Sequence, residues 1–309
     1  MKTIAITGVL GYSGRYIAAE AARRGWRVIG LTNSGGRLPN PGGYELRPLP
    51  WSTGQDVLAG VDVLVNTYWV RFSYTPGKGA AHEPFSHAQA VQNTLRLFAA
   101  AQRSGVGRVV HTSITQPDAA SELPYFRGKA ELEAALQSTG LPHSILRPAI
   151  LFGDTPDESI LINNMAWSLR HLPAVATFGR GNYRLQPIHV QDFAELAMDE
   201  AESQSAHRII NAVGAETYTF RELWQQLARS MHLWRPIVPV PAELGYQATR
   251  VLGALMGDIM LTRQEIAGLS QGRLAVAGPT VGTRRLSQWM QQHAEALGRR
   301  YANELSRRA

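Results

Sequence analysis

Apolar residues along this chain alternate between two spacings. Short, nearly continuous runs occur at Ile4-Ala5-Ile6, Trp26-Arg27-Val28-Ile29-Gly30-Leu31, Tyr44-Glu45-Leu46-Arg47, Val61-Asp62-Val63-Leu64-Val65-Asn66, Arg108-Val109-Val110-His111-Thr112 and Pro142-His143-Ser144-Ile145-Leu146. They predict six strands. Between them, residues 16–22, 86–104 (through Ala90, Leu95, Leu97, Phe98 and Ala101) and 125–138 carry helical spacing. Gly35-Gly36 and Pro39-Asn40-Pro41-Gly42-Gly43 mark a loop. Strands that alternate with helices in this way predict an α/β fold with a doubly wound parallel sheet.

After Gly153 the rhythm changes. Helical stretches dominate, with short strands expected near Gln186-Pro187-Ile188-His189 and Arg208-Ile209-Ile210-Asn211, and Asp192 expected to cap the helix that runs through Met198. This predicts a first domain over residues 1–153 and a smaller, mostly helical C-terminal lobe over 154–309 that forms the substrate pocket, with returns of the chain to the sheet allowed. The amphipathic stretch 244–260, with Val251, Leu252, Leu255, Met256, Ile259 and Met260, is expected to be buried in that lobe; the alternative is a membrane or partner surface.

The first strand runs into Thr7-Gly8-Val9-Leu10-Gly11-Tyr12-Ser13-Gly14 and then a helix. Glycines at 8, 11 and 14 permit a tight turn and close approach of a phosphate to the backbone, and the helix start offers unpaired N–H groups to an anion. Gly8, Gly11, Tyr12, Ser13 and Gly14 are therefore candidate contacts for a dinucleotide pyrophosphate. The spacing Thr-Gly-x-x-Gly-x-x-Gly resembles that of the extended and atypical short-chain dehydrogenases/reductases, which implies a Rossmann-type fold and NAD(H) or NADP(H). The second strand ends Leu31-Thr32-Asn33-Ser34, without the carboxylate that usually holds an NAD ribose. Asn33 and Arg37 are candidate contacts at that end. Either Arg37 or Arg15 could pair with a 2′-phosphate, so NADP(H) is favoured over NAD(H). Trp51-Ser52 stands where the family often has an Asp near the adenine, which leaves a stacking role open for Trp51.

Tyr125-Phe126-Arg127-Gly128-Lys129 places Tyr and Lys four residues apart, on one side of a helix. An ammonium beside a phenol stabilises phenolate and moves the Tyr toward working pH, so Tyr125 could exchange a proton with an alcohol while hydride moves to or from nicotinamide. Lys129 could also hold the nicotinamide ribose. Ser113, the third catalytic candidate, and Thr112 close the fifth strand and serve either a substrate oxygen or the strand-end backbone. Asn66, Thr67 and Tyr68 end strand four and are expected along the cofactor. Tyr68 and Trp69 either shape the nicotinamide pocket or pack.

The segments Tyr125-Phe126-Arg127-Gly128-Lys129-Ala130-Glu131-Leu132-Glu133, Ile145-Leu146-Arg147-Pro148-Ala149-Ile150-Leu151-Phe152-Gly153 and Pro187-Ile188-His189-Val190-Gln191-Asp192 resemble the NAD-dependent epimerase/dehydratase type of short-chain dehydrogenase/reductase. That resemblance implies an oxidoreductase or epimerase acting on an alcohol or carbonyl of a small molecule, and adds Pro148 to the cofactor contacts. The short gap from Ser113 to Tyr125, and Leu261-Thr262-Arg263-Gln264-Glu265-Ile266-Ala267-Gly268-Leu269, are similar to the atypical branch near the nucleotide-binding accessory subunit of respiratory complex I. Some members of that branch hold NADPH without known turnover, so a non-catalytic structural or redox-sensing role is the alternative.

Composition narrows this further. The 309 residues include no cysteine, which excludes disulfides, thiolate metal ligands and a cysteine nucleophile and fits a reducing cytoplasm. No His/Asp/Glu grouping has metal-ligand spacing. The chain opens directly on its first strand, so no leader is expected, and no apolar run is long enough to span a bilayer. The net charge of +7 has no nucleic-acid motif beside it. Arg284, Arg285, Arg299, Arg300, Arg307 and Arg308 make the C-terminus basic, read as a solvated tail helix or a contact for an anionic partner or membrane. A small-molecule substrate is the expected partner, and a homo-oligomer is compatible with the sequence.

Overall fold

A computed structural model describes residues 1–33, 40–49, 56–73 and 85–307. Two compact units follow the chain: Met1–Pro148 with Val190–Ala212, and Ala149–His189 with Val213–Ala309.

The first unit is built on β1 (Thr3–Thr7), β2 (Arg27–Leu31), β3 (Glu45–Arg47), β4 (Val63–Asn66), β5 (Arg108–Thr112), β6 (His143–Pro148) and β11 (His207–Ala212). These form a seven-stranded sheet in the order β11-β6-β5-β4-β1-β2-β3, and every pairing is parallel. It is a Rossmann-like doubly wound α/β arrangement, with the order reversing between β1 and β4. The inner strands β1, β4 and β5 are buried on both faces, which explains why they read as apolar runs rather than alternating ones, whereas the edge strands β3 and β11 are partly exposed. Helix α1 (Tyr12–Arg23) packs beside α5 (Val190–Glu202), and α2 (His87–Arg103) beside α3 (Pro124–Ser138). One core layer joins Ala5, Ile29, Leu64, Val109 and Ile145 of the sheet to Leu97 and Phe98 of α2 and Leu132 and Leu136 of α3.

Local chemistry sets the helix starts. Ser86 accepts from the Gln89 amide at 3.1 Å and caps α2, and Pro124 opens α3. The glycine turn leads straight into α1, which begins at Tyr12 rather than Tyr16, so Ser13 and Gly14 are helical. Asp192 lies within the first turn of α5 rather than at its cap. The strand expected near Arg208 is β11, and it extends the main sheet beside β6.

The second unit contains β7 (Leu151–Phe152), α4 (Ile160–His171), β8 (Val175–Phe178), β9 (Arg184–Leu185), β10 (Ile188–His189), β12 (Tyr218–Thr219), α6 (Phe220–Ser230), β13 (Ile237–Val240), α7 (Ala242–Met256), α8 (Arg263–Ser270) and α9 (Leu286–Gln292). Its strands form three two-stranded pairs, β10-β7, β12-β9 and β13-β8. Capping boxes at Thr219/Glu222 and Thr262/Glu265 start α6 and α8. Its core gathers Phe152, Met165, Phe178, Phe220, Trp224 and Trp289.

Two sequence expectations change here. The C-terminal basic stretch is not a tail helix: α9 ends at Gln292, turns follow, and a short 3-10 turn spans Leu305–Arg307. The amphipathic stretch is only partly buried, since Leu244, Val251 and Leu255 of α7 are exposed. No helix among the described residues is long and apolar enough to cross a membrane.

Candidate nucleotide site

The glycine turn has the geometry that its spacing predicts. Gly8 has φ +64° and its amide donates to the Leu31 carbonyl at 3.3 Å; Gly11 donates back to the Gly8 carbonyl at 2.8 Å. A Cβ on Gly14 would lie 2.1 Å from the Gly8 carbonyl oxygen, so only glycine lets α1 start this close to the turn. Gly11 precedes α1 with no side-chain cap, and the first turn of the helix contains no acid. Its N–H groups and helix dipole thus remain available to an anion. These features fit a dinucleotide pyrophosphate. The Arg15 guanidinium lies over the Tyr12 and Tyr16 rings, 5.9 and 5.4 Å from their centroids.

At the end of β2, Asn33 Oδ1 accepts from the Leu49 amide at 3.0 Å, which ties this end to the chain beyond β3. Arg37, Gly35-Gly36, Trp51 and Ser52 lie outside the described residues.

The ends of β1 and β4 are locked together by a buried threonine. Thr7 Oγ1 donates to Asn66 Oδ1 at 2.8 Å and accepts from the Thr67 and Tyr68 amides at 2.9 and 3.0 Å. Asn66 Oδ1 also accepts from the Tyr68 amide at 3.1 Å, leaving Nδ2 to donate to His111 Nδ1 at 3.0 Å. A neutral His111 ring therefore carries its proton on Nε2, which is buried without a partner. Burial first, then Lys129 and His143, hold the His111 pKa well below its ordinary value, so the ring is neutral. Tyr68 OH accepts from Asn93 Nδ2 of α2 at 3.1 Å.

Tyr125 and Lys129 stand one turn apart on α3, and Lys129 reaches the end of β5. Lys129 is 2% exposed; its Nζ donates to the Thr112 carbonyl at 2.7 Å and lies 4.2 Å from the centre of the Trp69 ring. Burial pulls its pKa down to about 7, opposed by Glu133. Trp69 meets Tyr125 edge-on at 5.4 Å and stacks on His87 at 5.6 Å. Gly128 leaves room here: a Cβ there would lie 2.9 Å from Val91 Cγ2 and 3.1 Å from Trp69 Cη2. The Tyr–Lys pair thus shares an indole, which the four-residue spacing alone does not reveal. Ser113 is 3% exposed; its amide donates to the Leu146 carbonyl at 2.7 Å, while Oγ has no partner. Trp69 Nε1 is likewise buried and unpartnered. Pro148 ends β6 and accepts from the Thr115 amide at 3.1 Å.

The fold therefore gathers two groups within the first unit: the glycine turn with Thr7, Asn66, Thr67 and Tyr68, and the β5 end, Thr112 and Ser113, with Lys129, which shares the Trp69 ring with Tyr125. Sequence reasoning missed Thr7 as the latch, and His87 and His111 as neighbours. Thr7 had a signal in its place at the head of the glycine motif; the two histidines had none. No group of three or more metal-ligating side chains occurs among the described residues.

Comparison with known proteins agrees with this geometry. Residues 4–212 match the NAD dependent epimerase/dehydratase family. The mitochondrial NADH-ubiquinone oxidoreductase 40 kDa subunit of Neurospora crassa is 25% identical over 277 residues, covering 85% of this chain and 69% of that protein. The mitochondrial NADH dehydrogenase [ubiquinone] 1 alpha subcomplex subunit 9 of Arabidopsis thaliana is 22% identical over 250 residues; the match spans 76% of this chain and 60% of the relative. Among solved structures, the Citrobacter sp. triphenylmethane reductase complexed with NADP(H) aligns with TM-score 0.72 at 18% identity, over 94% of this chain and 99% of the reductase. The glycine cradle, the parallel sheet and the match through β11 agree, and this chain belongs to the NAD-dependent epimerase/dehydratase family.

Proposed function

We propose that the protein is an NAD(P)(H)-dependent oxidoreductase or epimerase of the short-chain dehydrogenase/reductase type, acting on an alcohol or carbonyl carbon of a small molecule. One observation carries this reading: Ser113 Oγ is a buried hydroxyl with no partner at the β5 end that Lys129 reaches, and the Trp69 ring lies against both Lys129 and Tyr125. A buried hydroxyl left open in this way is available to a ligand oxygen. The turn at Gly8, Gly11 and Gly14 and the start of α1 would hold the pyrophosphate. Asn66, Thr67 and Tyr68 would line the cofactor. When bound, the nicotinamide would accept or supply hydride. Ser113 orients the substrate oxygen, and Tyr125 takes or gives its proton. Lys129, held against the Thr112 carbonyl, stabilises negative charge as it develops on that oxygen or on the phenol. The acid-free end of β2 supports NADP(H) over NAD(H), and calorimetry with both nucleotides tests that preference.

Tyr125→Phe is expected to change nucleotide affinity less than about twofold and to lower turnover by roughly 10²-fold or more. Turnover equal to that of the parent would remove Tyr125 from the chemistry. A second reading, a protein that binds nucleotide without turnover, is favoured by Trp69, whose ring lies against both Lys129 and Tyr125. Tight nucleotide binding with no hydride transfer to any carbonyl or alcohol in a broad panel would decide for it.

A further inference from the structure

Helix α7 carries an apolar stripe that nothing in the described chain covers. Its inward side is set by Gly245, where a Cβ would lie 2.6 Å from the Phe178 ring, and by Gly253, where a Cβ would lie 2.6 Å from the Asp258 carbonyl oxygen. Leu244, Ala248, Val251 and Leu255 recur at spacings of four, three and four, so they share one side of the helix, about 120° around from the buried side. Leu244, Val251 and Leu255 are 64%, 65% and 78% exposed. Seven large hydrophobic residues are exposed among the described residues. Five of them, Trp234, Val238 and these three, fall in the single segment 234–255. An apolar surface concentrated in this way marks an interaction site.

Charge identifies the occupant. Residues 229–285 contain seven arginines and three acids, Glu243, Asp258 and Glu265. All three acids are engaged: Glu243 with Arg263 at 2.6 Å, Glu265 with the Thr262 amide at 2.8 Å, and Asp258 with Tyr301 OH at 2.9 Å and the Glu304 amide at 3.1 Å. Arg229, Arg235 and Arg250 bond neutral oxygens, those of the Gln226 and Gln247 side chains and the Leu172 and Trp234 carbonyls. The charges of Arg229 and Arg235 are left for an external anion, while Arg250 shares Glu243 with Arg263 and so leaves that group one net positive charge. A second copy of this chain fits poorly, because it would bring the same arginines against one another. The stripe also exposes only roughly 300–400 Å², under half of the ~800 Å² a partner contributes to a stable protein interface.

We propose that α7 docks on an anionic lipid surface, with Leu244, Val251 and Leu255 entering the acyl boundary and Arg250, on the flank of the helix about 100° around from Val251, reaching the headgroups. The site lies in the second unit and does not depend on the chemistry at Tyr125.

Co-sedimentation of the full chain with vesicles tests this. One set is phosphatidylcholine alone; the other contains about a quarter phosphatidylglycerol. Binding is expected to the second set only and to weaken with added salt. The triple variant L244Q/V251Q/L255Q should lower partitioning about tenfold or more, and Arg250→Gln by several-fold. A far-ultraviolet circular-dichroism spectrum and thermal melt matching the parent confirm that the triple variant is folded. No binding to either vesicle set overturns the proposal, as does binding that the triple substitution leaves unchanged. A dimer in sedimentation velocity that the triple variant dissolves, without vesicle binding, would assign the stripe to a second copy instead.

Discussion

The Lys129 ammonium is enclosed by the Trp69 ring and the Thr112 carbonyl, and burial lowers its pKa from 10.5 to about 7. An unfolded chain releases Lys129 to water and restores the ordinary value. Between pH 7 and 10.5 the unfolded state therefore binds the proton more tightly than the folded state, and folding stability rises with pH across that window. From pH 7 to pH 9 the gain from this residue is about 2 kcal/mol. Lys129→Met keeps the aliphatic stem and removes the titration. Urea melts at the two pH values should show the parent gaining stability and the variant lacking that part of the gain. An equal gain in both would mean that the ammonium is better solvated than its surroundings imply.

At the scale of elements, Gly14 joins turn and helix. Gly14→Ala places a methyl 2.1 Å from the Gly8 carbonyl oxygen, against backbone that cannot rotate away. It is expected to cost about 1–3 kcal/mol of stability and to abolish measurable nucleotide binding, read by thermal melts and calorimetry. Full-strength nucleotide binding by Gly14→Ala would show that the turn has room to spare. This unit was legible in the sequence because its constraints are local: an apolar strand, glycines at fixed spacing, then helical periodicity. The remaining strands of the sheet were found for the same reason, with ends displaced by one or two residues. The Tyr125–Lys129 spacing was legible too, but not the Trp69 ring that both touch, because that contact joins segments distant in sequence. His111 read only as a strand residue; its bond to Asn66 depends on β4 and β5 lying side by side. For α7 the periodicity revealed two kinds of face but not how much of the apolar one is covered. Capping placed Asp192 at a helix start, yet α5 begins two residues earlier at Val190.

For the whole molecule, the main consequence of the chain path is that the nucleotide-binding unit is not continuous. Its edge strand β11 arrives only after residues 149–189 have been spent on the other unit, and the family match over residues 4–212 ends with it. Two guanidiniums fasten the returning segment: Arg24, just after α1, donates to Asp199 and Glu202 of α5 at 2.8 and 3.0 Å, and Arg108 holds it from the sheet. Arg108 on β5 donates to the Glu200 carbonyl, the Ser205 carbonyl and Ser144 Oγ, each at 2.6 Å. Ser144 Oγ donates in turn to Glu200 Oε2 at 2.6 Å, and Arg208 at the start of β11 donates to Glu200 Oε1 at 2.6 Å. Arg108 and Glu200 are buried, and burial pulls the Arg108 pKa below its ordinary value against the attraction of Glu200. Arg108→Met takes a donor from two carbonyls and from Ser144 Oγ, and removes a charge 3.9 Å from the Glu200 carboxylate, which keeps its bonds from Ser144 and Arg208. Breaking a buried charge pair from one side costs about 3–5 kcal/mol, and because Glu200 keeps Arg208 the loss here is expected to fall below that range. The loss should fall first on the returning segment: amide hydrogen exchange is expected to speed up in α5 and β11 before β1, β4 and β5, where pairing does not pass through this side chain. Uniform acceleration across the sheet would mean that the edge strand is held by backbone pairing to β6 alone, and that the return needs no such clasp.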